Sequence, residues 1–288
     1  MAVVTGIILP FLLLATTNAQ PAELIILDPA GPIANSEREL IALTLGLMLL
    51  VVLPVFAMTA WFAWHYRATN ANARYDPQWS STKVDVLLWL APTLIVLLLA
   101  VVTWRYTHQL DPEKPIAASM QPLNVQVIAL DWKWLFIYPE LKIATLNQLV
   151  IPAGRPVSFD ITSDSVMTSL FIPQLGGQIY AMAGMRTRLN LLADKPGTFR
   201  GENTQYSGRG FPDQHFQVMA KTADDFKHWV AMIQQQTSNL DWQHFTALAK
   251  PSVSDKARGF GNVEPGLFDH VLEQYSQLPS GDGRGNAS

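Results

Sequence analysis

Two nearly unbroken apolar stretches dominate the first third of the chain, at 40–64 and 84–104. Neither has a charge in its middle. Each meets the roughly 20 residues that an α-helix needs to cross about 30 Å of hydrocarbon. The pattern predicts a transmembrane hairpin. Pro54 and Pro92 fall inside the two helices, where a membrane helix tolerates them. Trp61, Trp64 and Tyr66 mark one helix end, and Trp104 and Tyr106 another, as interfacial aromatic belts do. From Leu123 the period changes to two. Leu123, Val125, Val127 and Ala129 form one alternating set, and Val157, Phe159 and Ile161 another. Leu189 with Leu191, and Phe216, Val218 and Ala220, follow the same rule. These are half-buried strands. Pro139, Pro152, Gly154, Pro173, Gly176, Gly177, Pro196 and Gly197 punctuate them as turns. Short strands at such spacing predict a β-sandwich over 121–222. Beyond Lys221 the period turns helical. Thr222 and Asp225 form a capping pair ahead of Phe226, Trp229, Val230 and Ile233. Asp241 precedes Trp242 and Phe245, and Gly266 precedes Leu267, Phe268, Val271, Leu272 and Tyr275. A helical region over 223–275 results, and the Gly-, Ser- and Asn-rich stretch 276–288 reads as a disordered tail.

Composition narrows the class. The chain has 288 residues and only 15% charged ones, and its mean hydropathy is above zero. That is too apolar for an ordinary soluble protein and too polar for a many-span transporter. The net charge of −3 comes with no basic stripe, so nucleic acid is not a partner. The link at 65–83 holds Arg67, Arg74 and Lys83 against Asp76, whereas Glu23, Asp28, Glu37 and Glu39 surround Arg38 in the preceding segment. The positive-inside rule puts the link in the cytoplasm and both flanking parts outside, which in a bacterium is the periplasm. The apolar run 7–15 ends in small residues up to Ala19 and reads as a signal peptide over 1–19, leaving 20–39 as a periplasmic segment. The chain contains no cysteine, so the outer domain has no disulfide and no thiolate ligand.

Few residues suggest chemistry. His65, His108, His215, His228, His244 and His270 are not paired at a ligand spacing. Met167, Met182, Met185 and Met219 read as core fillers. No Gly-rich phosphate loop or Ser–His–acid arrangement stands out. Asp85, at the start of the second apolar stretch, is the sharper candidate. An acid at a span boundary is either functional or an interfacial group paired with Lys83.

Five segments together carry a family resemblance. They are 27–32 (LDPAGP), 62–67 (FAWHYR), 131–139 (DWKWLFIYP), 178–185 (QIYAMAGM) and 206–211 (YSGRGF). They resemble subunit II of haem–copper quinol oxidases, most closely of the cytochrome o type, from about 27 to 275. The resemblance implies an α+β membrane protein: a two-helix transmembrane hairpin plus a cupredoxin-like β-sandwich with C-terminal helices. It implies a multi-pass protein of the bacterial inner membrane with its C-terminal domain in the periplasm. Copper-bearing members of the wider family carry a loop reading Cys-x-Glu-x-Cys-x-x-x-His-x-x-Met. Laid over this chain, the two cysteines fall on Asn203 and Ser207, the histidine on Phe211 and the methionine on Gln214. A second, upstream histidine falls near Thr168. The resemblance therefore implies a non-redox subunit with no metal of its own. Haems and copper belong to the large partner subunit I, which oxidises ubiquinol and reduces dioxygen to water, alongside further small membrane subunits. Trp132 matches the electron-entry tryptophan of copper-bearing relatives, and here Trp132 and Trp134 are read as interface residues toward the membrane subunit. Asp85 stands where relatives have a glutamate associated with a proton-channel mouth. The alternatives are a cytochrome c oxidase subunit II that has lost its copper ligands, and a membrane-anchored periplasmic binding module.

Overall fold

The computed structural model describes residues 25–70, 81–118, 120–253 and 255–276. The signal peptide expected at 1–19, the central part of the link expected in the cytoplasm and nearly all of the expected tail lie outside the described residues. Two helices, α1 (Pro32–His65) and α2 (Thr82–Gln109), are long and apolar enough to cross a membrane. At 1.5 Å per residue both exceed the hydrocarbon thickness of about 30 Å. Thr59 and Thr93 donate their hydroxyls to the carbonyls of Val55 and Trp89, so these polar groups are satisfied within their own helices.

Helix α1 begins well before its apolar run, through the polar residues Ser36, Glu37, Arg38 and Glu39. Its first turns lie on the sandwich, which supplies the packing that pattern alone does not reveal. Ala34 is buried, and Gly177 N–H donates to Glu37 Oε1 at 3.0 Å. The preceding chain is stitched down as well: Ala30 N–H donates to Gln174 O (2.7 Å), and Asp194 N–H donates to Ala30 O (2.9 Å). The linker after α2 is held at the same end by Asn190, whose side-chain amide donates to the carbonyls of Pro112 (3.2 Å) and Glu113 (3.1 Å).

The sandwich has two sheets. One has the strand order β12-β3-β2-β1-β5-β8 and the other β4-β10-β9-β6-β7. Their ranges are β1 (Leu123–Leu130), β2 (Lys133–Tyr138), β3 (Ile143–Leu146), β4 (Gln148–Pro152), β5 (Val157–Ser163), β6 (Thr168–Phe171), β7 (Gln178–Ala181), β8 (Thr187–Leu191), β9 (Gly197–Asn203), β10 (His215–Lys221) and β12 (Arg258–Phe260). A short parallel pair, β11 (Asn239–Leu240) with β13 (Asn262–Val263), stands apart. The alternating strands of the sequence correspond to β1, β5, β8 and β10. Between the sheets lies the main core, with Val127, Trp134, Phe136, Phe159, Leu170 and Phe216 among its members.

The six-stranded sheet also buries its outer face. Ile128, Leu130, Leu135, Ile137 and Leu146 pack there against Phe245, Leu248, Phe268 and Val271. The covering layer contains α4 (Trp242–Leu248) and α5 (Leu267–Ser276), whereas α3 (Ala223–Gln234) adds Phe226, Trp229, Val230 and Ile233 to the main core. Thr222 caps α3 by accepting from Asp225 N–H, and Asp241 caps α4 by accepting from His244 N–H. Because both of its faces are covered, β2 is buried at all six positions and shows no period of two.

Candidate functional site

Strand directions place the metal-loop positions at the end of the sandwich away from the loops on which the start of α1 is seated. Strands β1 and β5 run in parallel toward this end, and β9 ends there beside the start of β6. The β1–β2 turn, the β5–β6 loop and the β9–β10 loop therefore share one tip.

Three of the five expected positions meet there. Asn203, the last residue of β9, is 6% exposed, and Gln214 is 1% exposed. Asn203 Nδ2 donates to Gln214 Oε1 (2.8 Å) and to Ser207 Oγ (3.1 Å). Ser207 Oγ donates in turn to Gln214 Oε1 (2.8 Å). Gln214 Nε2 donates to Leu130 O (3.2 Å), tying the loop to β1. On its other side, Asn203 Oδ1 accepts from the backbone N–H groups of Ser169 and Gln205, each at 2.9 Å. The network is buried and its polar atoms are matched, so it holds the loop much as a bound ion would.

Phe211 lies in a short helical turn and packs on Tyr206, with ring centroids 5.7 Å apart, outside this network. Thr168 starts β6 beside Ser169, but its buried hydroxyl has no hydrogen-bond partner. Trp132 joins the site. Its indole N–H donates to Ser207 O at 3.0 Å, and its backbone is in the left-handed region (φ 64). Gly210 allows the ring to lie close, since an added Cβ there would meet it at 2.3 Å. Trp134 corrects the expectation. It is fully buried in the core against Phe216, 5.6 Å between centroids, and reaches no surface open to a partner. Alternation explains this, because β2 sends Trp134 inward between the sheets. Met167 and Met185, expected in the core, are exposed. Asp85 is exposed in the first turn of α2, at the end of that helix remote from the sandwich.

Pattern reading missed Lys133 and Asn147. Lys133 is 1% exposed. Its ammonium donates to Lys250 O (2.7 Å) and Ser252 Oγ (2.6 Å) and lies 3.4 Å from the Asp255 carboxylate. Burial pulls its pKa below the usual lysine range, against the opposing pull of Asp255. Burial works against the Asp255 charge, but the Ser252 hydroxyl and the Lys133 ammonium outweigh it and hold that carboxyl low. Asn147 turns the corner between β3 and β4 in the left-handed region (φ 52). It accepts from Trp134 N–H (2.8 Å) and donates to Asp255 O (2.9 Å). A lone lysine inside a run of large apolar residues was the available signal for the first. At the same tip, burial pushes the Asp164 carboxyl up to about 6, and the Asp131 carboxylate adds to the rise. The Tyr275 hydroxyl, from the end of α5, donates to Asp164 O.

The donor chemistry is that of amides and hydroxyls. Among the described residues no three His, Cys, Asp or Glu side chains gather in a metal-binding group. A thiolate-bridged copper pair needs cysteines, and the chain has none.

A two-span membrane anchor carrying a cupredoxin-like sandwich and a helical C-terminal layer defines the subunit II class of respiratory oxidases. Comparison with known proteins agrees. Residues 139–212 match the family model for the periplasmic domain of cytochrome c oxidase subunit II. Residues 234–277 match the COX aromatic rich motif. Ubiquinol oxidase subunit 2 of Acetobacter aceti is 49% identical over 257 residues, covering 88% of this chain and 83% of that protein. Cytochrome bo(3) ubiquinol oxidase subunit 2 of Pseudomonas putida is 47% identical, covering 89% and 82%. Its counterpart in Pseudomonas aeruginosa is 43% identical, covering 96% and 86%. The chain belongs to the ubiquinol oxidase subunit 2 family.

Proposed function

We propose that this chain is the non-redox second subunit of a proton-translocating respiratory ubiquinol oxidase in the bacterial inner membrane. A large partner subunit holds the haems and copper, oxidises quinol and reduces dioxygen to water. Further small membrane subunits complete the complex. The observation that carries the non-redox role is the Asn203–Ser207–Gln214 network, whose polar atoms are spent on one another and on Leu130. Ubiquinol is lipid-soluble and reaches a membrane-embedded site through the bilayer, so an electron port in the periplasm is unnecessary. The chain's work is then mechanical. Helices α1 and α2 brace the large subunit, and the sandwich caps its outer face with Trp132 at the contact. Copper titrated into the purified full chain tests this. The expected result is no tight stoichiometric binding and no near-infrared band, and a stoichiometric copper centre with such a band refutes it.

Asp85 has a separate role in this reading. It lies at the cytoplasmic start of α2 and helps shape the mouth through which protons enter the large subunit. Asp85→Asn in the assembled oxidase removes the charge while keeping the size. Most of the proton-coupled turnover should be lost, with normal assembly and haem content. Turnover and pumping equal to wild type would remove Asp85 from the path.

A further inference from the structure

Among the described residues the C-terminal layer reaches the metal-loop end of the sandwich at two places: Tyr275 of α5 donates to Asp164 O, and the connection between α4 and β12 approaches the β9–β10 loop. Lys133 lies at the centre of the second contact. It leaves β2 next to Trp132, and its ammonium binds Lys250 O, Ser252 Oγ and the Asp255 carboxylate together. Ser252 Oγ also donates to Asp255 Oδ2, and Asn147 Nδ2 holds Asp255 O from the sandwich side. Two observations carry the connection from there to the loop. Val253 lies against Gly210, where an added Cβ would meet it at 2.5 Å, while Trp132 lies 2.3 Å from the same point. Asp255 and Ala257 share one cleft with Asp213 and His215. The backbone at Gly210 is therefore clamped between the Trp132 ring and the connection that Lys133 ties down.

We propose that Lys133, Ser252 and Asp255 form an ionic clasp through which the C-terminal layer holds the β9–β10 loop and Trp132 in their docking position. Lys133 is a positioning residue, because it touches the connection and acts on the loop through Val253 and Gly210. The proposal rests on the reading of this tip as the contact with the large subunit. It predicts that the loop is rigid because of two restraints, the Asn203 network inside and the clasp outside, and that either one alone leaves it loose.

Hydrogen exchange on the purified full chain in detergent tests the clasp. Two variants are used: Lys133→Met, which fills the buried volume without charge, and Asp255→Asn, which keeps the hydrogen-bonding shape. Lys133→Met leaves an Asp255 carboxylate that is 29% exposed, and Asp255→Asn leaves the buried Lys133 ammonium its bonds to Lys250 O and Ser252 Oγ. Both should raise exchange at 203–214 about tenfold or more, the local effect of losing one charged hydrogen bond. Helices α4 and α5 should keep their protection, and Trp132 emission should shift red as its ring loosens. Unchanged exchange at 203–214 in both variants overturns the proposal, and so does a rise spread evenly over the sandwich. Capture of the large subunit by the wild-type chain is scored separately. Failed capture with a working clasp sinks the docking reading alone, and retained capture with unchanged exchange sinks the clasp alone.

Discussion

Asn203→Leu lowers the unfolding free energy of the sandwich by roughly 2–4 kcal/mol, read as a shift in the urea midpoint of the full chain in detergent. The leucine is close to the amide in size, so the loss is one of hydrogen bonds rather than volume. It strands the Ser169 and Gln205 N–H groups, removes the amide donor to Gln214, and takes away the Ser207 partner. Groups this buried have no water to replace the partner. Asn203→Asp separates the two halves of the argument. Its near oxygen still accepts from Ser169 and Gln205, but the far one faces Gln214 Oε1 lone pair to lone pair. A loss of similar size is expected, growing as pH rises and the new carboxyl ionises. Stability equal to wild type in both variants would mean that the network holds nothing.

The second large effect lies at the other end of the sandwich. Gly31→Ala places a Cβ 2.2 Å from the Leu192 carbonyl oxygen and 3.4 Å from that of Leu175, both backbone atoms with no rotamer to yield. The backbone at Gly31 is extended (φ −147), so steric conflict alone is at issue. Forcing a group into such a contact costs about 1–3 kcal/mol. The start of α1 should lift from the loops at 172–177 and 192–194, releasing the Glu37–Gly177 bond. Gly46→Ala in the same helix is the control, since nothing lies within 4 Å of its added Cβ in this chain. Spin-label distances between α1 and the sandwich should broaden in the first variant and stay narrow in the second. Narrow distances in Gly31→Ala would show that the seating bends without breaking.

Much of the architecture was legible because each signal was local. Apolar length marks α1 and α2, and Thr222 and Asp241 mark two helix starts. Single-faced alternation marks β1, β5, β8 and β10. Strand β2 was hidden because the C-terminal layer covers the face that would otherwise read as polar, while Trp134 is a core residue on its other face, between the two sheets. The true start of α1 was hidden because the sandwich, not hydrocarbon, packs its first turns. The site was legible in part. Asn203, Ser207 and Gln214 gather as their loop positions suggest, while Phe211 and the Thr168 hydroxyl stay out of the network. The partners of Lys133 and Asn147 were invisible because they lie 117 and 108 residues away at Lys250 and Asp255, and no short-range pattern encodes such pairs.

The central claim is that this chain serves a quinol-oxidising complex without carrying electrons. Purifying the complex through a tag on this chain, then measuring haem, copper and ubiquinol-dependent oxygen uptake together, tests it most directly. The account predicts a haem-bearing, many-span companion, rapid oxygen uptake with ubiquinol, and all copper residing in that companion. A chain isolated alone, or one bringing its own copper centre, would contradict it.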